Sequence, residues 1–256
     1  MKPNKVKKTL REGGVSVGTM VFEFSTSGIG RIVAEADADF VLFDMEHTAW
    51  SIETIRGLLA TSQVRDLVPL VRVPVSEYHF LARVMEAGAM GVMVPMVHDA
   101  DEARRVVAAV KYPPEGRRGA AFGVAHDGYS GGDIVAKMRV ANEEGLVIVQ
   151  IESRAGLDNV EAIAAVEGVD VLWIGQSDLS SALGIPGDFA HADFQAAVER
   201  VVQAAEKEDK AAAFMAMSSE EALAFKARGF RCLAYSGDLW IYQNALRAGM
   251  AAIRKG

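Results

Sequence analysis

Eight short apolar or β-branched runs, recurring through most of the chain, constrain its fold more than any other feature. They cover 15–22, 40–43, 68–71, 91–94, 146–149, 169–174, 211–214 and 232–235. They are nearly continuous rather than alternating, which is how strands buried on both faces of a parallel sheet read. Between them the period changes to that of amphipathic helices. Ile52, Ile55, Leu58 and Leu59 share one face behind a Ser51 cap, and Asp99 with Glu102, Asp158 with Glu161, and Ser218 with Glu221 have capping-box spacing. Gly168 and Gly229 stand where a helix ends on a left-handed residue, and Pro113-Pro114 stops another helix. Strand and helix in alternation imply right-handed crossovers, and eight strands suggest closure into a (β/α)8 barrel, a single domain over residues 1–256.

Charge and composition remove several classes of partner. A net charge of -7 and a pI near 5.3 disfavour a phosphate backbone as ligand, so no nucleic acid is expected. No apolar run approaches the roughly 20 residues of a membrane span. The basic run Lys2, Lys5, Lys7, Lys8 and Arg11 resembles the start of a targeting segment. The apolar stretch after it is cut by Glu23 and lacks a cleavage pattern, so no signal peptide is expected. Cys232 is the only cysteine, which suits a reducing cytoplasm, and it reads as a buried small hydrophobe. The stretch 112–142, rich in glycine, is long for an ordinary connection and is expected to be a functional loop or a lid with its own short helix.

In a parallel barrel the chemistry sits at the carboxyl ends of the strands, and there the sequence drops several reactive side chains. Glu152 follows one run and Asp178 the next. Hard dications such as Mg²⁺ and Mn²⁺ take oxygen ligands and often only one or two carboxylates, so this pair could grip one ion; equally, each could cap the helix after it. His47, beside Asp44 and Glu46, is a natural general base, since imidazole titrates near neutrality, or else it bonds a backbone group. Arg72 ends an apolar strand and needs a carboxylate: Asp44 in a structural pair, or that of a substrate. Ser27-Gly28-Ile29-Gly30 gives only a weak dinucleotide signal, because position 33 is Val33. No lysine ends a strand, so a Schiff-base mechanism finds no candidate.

Taken in order, Phe43-Asp44-Met45-Glu46-His47, Val71-Arg72-Val73-Pro74, Glu86-Ala87-Gly88-Ala89, Val94-Pro95-Met96-Val97, Tyr112-Pro113-Pro114 with Arg118-Gly119, Gln150-Ile151-Glu152 and Trp173-Ile174-Gly175-Gln176-Ser177-Asp178-Leu179-Ser180 form a recognisable set. The chain thereby resembles the HpcH/HpaI family of metal-dependent, class II pyruvate aldolases. The resemblance implies a divalent ion (Mg²⁺, Mn²⁺ or Co²⁺) held by Glu152 and Asp178, and aldol cleavage or condensation of 4-hydroxy-2-oxo acids. Pyruvate or hydroxypyruvate would be the donor and an aldehyde the acceptor. It implies His47 as the base, acting through water, and Arg72 as the group that binds substrate and stabilises the enolate. Gln150, Gly175, Gln176, Ser177 and Asp178 would complete the 2-oxo acid pocket, with Asp44 supporting from behind. Glu86 falls where the family more usually has an aspartate that pairs with the histidine. The aldehyde's substituents are expected against the loop around Phe122, His126 and Tyr129. The resemblance also implies a homohexamer of dimers that exchange the carboxy-terminal helix. The rival expectations are a thioester lyase of the citrate lyase β or malyl-CoA lyase type and a non-catalytic barrel that binds 2-oxo acids.

Overall fold

The strands β1 (Ser16–Val21), β2 (Phe40–Asp44), β3 (Val68–Arg72), β4 (Gly91–Val94), β5 (Leu146–Ile151), β6 (Val171–Ile174), β7 (Ala211–Ala216) and β8 (Phe230–Gly237) pair in sequence order, and β8 closes on β1. This is the (β/α)8 barrel, seen in a computed structural model that describes residues 2–255. All eight strands fall on the expected runs: β2, β3, β5, β7 and β8 extend beyond them, and β1 and β6 are shorter.

A period of two decides what enters the barrel. Phe40 and Leu42 of β2, Val68 and Leu70 of β3, Leu146 and Ile148 of β5, and Val171 and Trp173 of β6 pack together inside. Their neighbours Val41, Phe43, Val71, Val147, Val149 and Leu172 face the surrounding helices. Carrying that parity one step further aims Asp44, Arg72, Gln150 and Glu152 inward at the carboxyl rim. The floor is closed by the helix Lys5–Arg11, whose Val6 and Leu10 join the inner cluster. Its Lys7 is buried there, 2.9 Å from Asp170, at the end opposite the rim.

The caps behave largely as the spacing predicts. The side chains of Ser51, Asp99 and Ser218 accept N–H bonds from Thr54, Glu102 and Glu221. Asp158 does not cap: it ends the helix Arg154–Asp158, and Asn159 separates it from Val160–Ala164. Gly30 serves packing rather than a cofactor, since a β-carbon there would fall 2.1 Å from Ser62 Oγ. The 112–142 stretch contains a short turn of helix, Ala125–Asp127, and most of the helix Ile134–Glu144. The final helix, Asp238–Lys255, leaves its own barrel after the first turn, and Ile241, Tyr242, Leu246, Met250 and Ile253 are 38–77% exposed. No described helix is long and apolar enough to cross a membrane.

Candidate active site

Asp44 is the hub of the rim. It is fully buried and lies opposite Arg72 in the β2/β3 register, where Arg72 Nε donates to its Oδ1 at 2.6 Å. The same carboxylate accepts the backbone N–H groups of Glu46 and His47, each at 3.0 Å, and so folds the β2 exit into a turn. That turn brings Glu46 Oε2 to 3.0 Å from Arg72 Nη1, an ion-pair contact without hydrogen-bond alignment. It also sets His47 Nε2 3.8 Å from the same oxygen, on a side chain that is 57% exposed. Arg72 is therefore both paired structurally, as one sequence alternative had it, and presented to the pocket.

A second hydrogen-bond chain fixes Glu152. Its Oε1 accepts from Met96 N at 2.7 Å and its Oε2 from Gln150 Nε2 at 2.8 Å, while Gln150 Oε1 lies 3.5 Å from Arg72 Nη1. Met96 has a left-handed backbone, φ 53°, which belongs to the turn that aims this N–H at the carboxylate. Gly175 leaves room for the side chain, because a β-carbon there would meet Glu152 Oε2 at 1.9 Å. Neither carboxylate is spent on a helix cap. Ser153 caps the helix after Glu152, and Asp178 sits inside the helix Gln176–Ala182, behind an N-cap glycine.

His47, Arg72, Gln150, Glu152, Gly175 and Asp178 line one pocket of about 260 Å³ with Met20, Phe22, Trp173, Gln176, Ser177, Met215 and Trp240. Gln176 is held by its Nε2 bond to Met215 O at 3.2 Å. A larger groove, about 720 Å³, lies at the floor beside the helix Lys5–Arg11 and gathers no comparable constellation. Glu46, Met96, Phe22 and Trp240 were not singled out from sequence as site residues. Parity would have found Phe22; Glu46 needed the Asp44 turn, and Trp240 comes from the final helix.

Glu86 is not part of this rim. It ends the helix Tyr78–Glu86 at the barrel's amino-terminal side, where Arg118 donates to it at 2.9 and 2.6 Å and His126 Nε2 lies 3.6 Å away. Within the chain Glu86 therefore does not meet His47; the acid beside His47 is Glu46. Nor does the loop around Phe122 and His126 reach this chain's own rim. Phe122 and His126 pack on Tyr112, and His126 faces Gly88, Met90 and Gly145 at the strand beginnings, remote from the carboxyl rim.

The electrostatics at the rim ask for a cation. Burial first, then the like charges of Glu46 and Asp178, push the Glu152 carboxyl up to about 7, against the pull of Met96 N–H and Arg72. Burial likewise raises Glu46, against Arg72 and His47. Among the described residues no group of three His, Cys, Asp or Glu side chains forms a cage on its own. Two carboxylates with room for water and substrate, all hard oxygen donors, suit Mg²⁺ or Mn²⁺.

The comparisons with known proteins point the same way. The HpcH/HpaI aldolase/citrate lyase family matches residues 20–245. A "hydroxypyruvate/pyruvate aldolase" from Paraburkholderia phytofirmans is 37% identical over 98% of each chain. A "2-keto-3-deoxy-L-rhamnonate aldolase" from Escherichia coli is 33% identical over 99% of this chain and 94% of its own. The crystal structure of an HpcH/HpaI aldolase from Desulfitobacterium hafniense superposes with a TM-score of 0.92 at 31% identity, covering 98% of this chain and 96% of that one. Barrel, rim and near-full-length similarity agree, and the chain belongs to the HpcH/HpaI aldolase/citrate lyase family.

Proposed function

We propose that the chain is a divalent-metal-dependent aldolase that makes and breaks the C3–C4 bond of 4-hydroxy-2-oxo acids, with pyruvate or hydroxypyruvate as donor and an aldehyde as acceptor. The observation that carries this reading is the meeting of Glu152, Asp178, Arg72 and His47 around one pocket. Glu152 and Asp178 would hold the ion, which supplies Lewis-acid stabilisation for negative charge on the donor's keto oxygen. His47, on the exposed rim, takes the proton of the 4-hydroxyl in cleavage. The C3–C4 electron pair then passes to the donor carbon, the hydroxyl oxygen leaves as the aldehyde carbonyl, and the proton returns to C3. In synthesis His47 takes the proton from C3 of the donor, and the same events run backward. Arg72, its Nε tied to Asp44, donates to donor oxygen where charge develops, as a fixed guanidinium fork can. Gln150 and the chain at Gly175, Gln176 and Ser177 complete the 2-oxo acid pocket.

The relatives' names support a small oxo acid as substrate. A thioester lyase would have nucleotide phosphates to hold, and Arg72 is the one Arg or Lys among the described residues lining the pocket. We place the enzyme in the cytoplasm, where the buried Cys232 stays a thiol. We further infer a homo-oligomer, a hexamer with exchanged carboxy-terminal helices, because that helix carries an apolar stripe away from its own barrel. The test of function is release of pyruvate from a 4-hydroxy-2-oxo acid, followed before and after stripping with chelator and on restoring Mn²⁺. The reading requires loss, recovery, and no recovery in Asp178→Ala. Undiminished release after thorough chelation overturns it.

A further inference from the structure

A second cavity opens beside the donor pocket. It measures about 510 Å³, shares Phe22, His47 and Trp240 with that pocket, and is otherwise lined by Glu23, Thr48, Ala49, Trp50 and Leu239. Its walls are built rather than incidental. Buried Asp238 accepts the N–H groups of Phe22, Glu23 and Phe24 at 2.8, 3.0 and 2.7 Å, locking the β1 exit to the start of the last helix. Phe22 then meets Trp240 edge to face at 5.0 Å. On the other side Trp50 rests on the barrel's outer core, and its backbone N–H donates to Thr48 Oγ1, which itself donates to Asp44 O at 2.6 Å. Three aromatic side chains thus face a space whose inner boundary is His47. The one formally charged side chain among its described lining residues is acidic, Glu23, and no arginine or lysine lines it.

Resting on the aldolase reading above, we propose that this vestibule is the acceptor subsite, and that it selects aldehydes with uncharged, flat or apolar substituents over aldehydes that carry a carboxylate. The space adjoins the base and the donor pocket, so an aldehyde carbonyl at His47 can lay its substituent between Phe22, Trp50 and Trp240. Aromatic walls favour a flat apolar group by burial and edge contacts. A carboxylate there would lose water, find no arginine or lysine among the lining side chains, and lie beside Glu23.

The test uses the intact enzyme with pyruvate, Mn²⁺ and three acceptors: benzaldehyde, 4-carboxybenzaldehyde and glycolaldehyde. A para carboxylate barely alters the carbonyl's own reactivity, so discrimination between the first two reports the subsite. The expected kcat/KM for benzaldehyde is at least about tenfold above that for 4-carboxybenzaldehyde, the scale on which a pocket rejects a poorly matched group. Trp50→Ala should lower the benzaldehyde-to-glycolaldehyde ratio about tenfold, through KM. Glu23→Lys, on the exposed lip, should raise the relative use of 4-carboxybenzaldehyde about tenfold. Equal use of the two aromatic aldehydes by the wild type, or ratios unmoved in both variants, overturns the proposal. Exchange of pyruvate methyl protons for deuterium without any aldehyde separates the two readings. Metal-dependent exchange without acceptor discrimination sinks the vestibule alone, whereas absent exchange sinks the aldolase.

Discussion

Replacing Glu152 by glutamine should stabilise the metal-free protein while destroying its affinity for the metal, two effects of opposite sign from one atom. Glu152 is 3% exposed and its carboxyl is raised from 4.5 to about 7, by burial first and then by the like charges of Glu46 and Asp178. The sign follows directly. Between those two values the folded chain binds a proton more tightly than the unfolded chain does, so this group's contribution to stability falls as pH rises through that window. Linkage gives a penalty of about 1 kcal/mol at pH 5.5 and about 3 kcal/mol at pH 8, where the carboxylate is mostly ionised. Glutamine removes the charge and keeps an acceptor for Met96 N–H. Its new NH₂ group would face the Gln150 Nε2 donor, now 2.8 Å from Glu152, until the Gln150 amide flips and gives up its 3.5 Å contact with Arg72. Allowing ~1 kcal/mol for that exchange leaves a net gain of ~2 kcal/mol at pH 8 and little at pH 5.5. Urea unfolding of chelated wild type and Glu152→Gln at the two pH values measures both numbers, and repeating it with Mn²⁺ should stabilise the wild type only. A chelated variant less stable than wild type at pH 8, or a wild type whose stability relative to the variant does not change between the two pH values, refutes the picture of Glu152 as a carboxylate held at a cost by burial and like charges.

Three other outcomes follow from the same geometry. Gly175→Ala places a β-carbon 1.9 Å from Glu152 Oε2 and should weaken Mn²⁺ binding at least tenfold by calorimetry, on the scale seen when groups supporting a metal ligand are disturbed. Arg72→Lys keeps the charge but loses the fork that meets Asp44 at 2.6 Å and Glu46 at 3.0 Å; kcat/KM for pyruvate release should fall about a hundredfold or more, read from steady-state rates. Removing residues 241–256 deletes the exposed apolar stripe and should shift the mass measured by light scattering toward the single chain, with an unchanged assembly contradicting the inferred helix exchange.

The barrel was legible because its strands are buried on both faces and its helices announce their ends. Continuous runs such as Leu146 to Val149, and caps such as Ser51, Asp99 and Ser218, are local signals, and the fold reads them locally. The rim was legible in part for the same reason: a period of two carries Asp44, Arg72, Gln150 and Glu152 inward once strand ends are known. What stayed hidden depends on contacts distant in sequence. Glu86 sits in a familiar stretch of sequence, yet its helix delivers it to Arg118 at the other end of the barrel. Met96 matters through a backbone N–H, which no side-chain pattern reports. Trp240 reaches the pocket only because Asp238 clamps the β1 exit. The floor helix Lys5–Arg11 was concealed by its lysines, one of which, Lys7, is buried against Asp170 and Gly145.

The sharpest measurement is an anomalous difference map from crystals of the protein soaked with Mn²⁺ and pyruvate. The account predicts a peak bridging the carboxylates of Glu152 and Asp178, with a pyruvate oxygen on the same ion and His47 at the rim beside it. Mn²⁺ bound elsewhere, or those two carboxylates turned away from each other with pyruvate seated in the pocket, would contradict it.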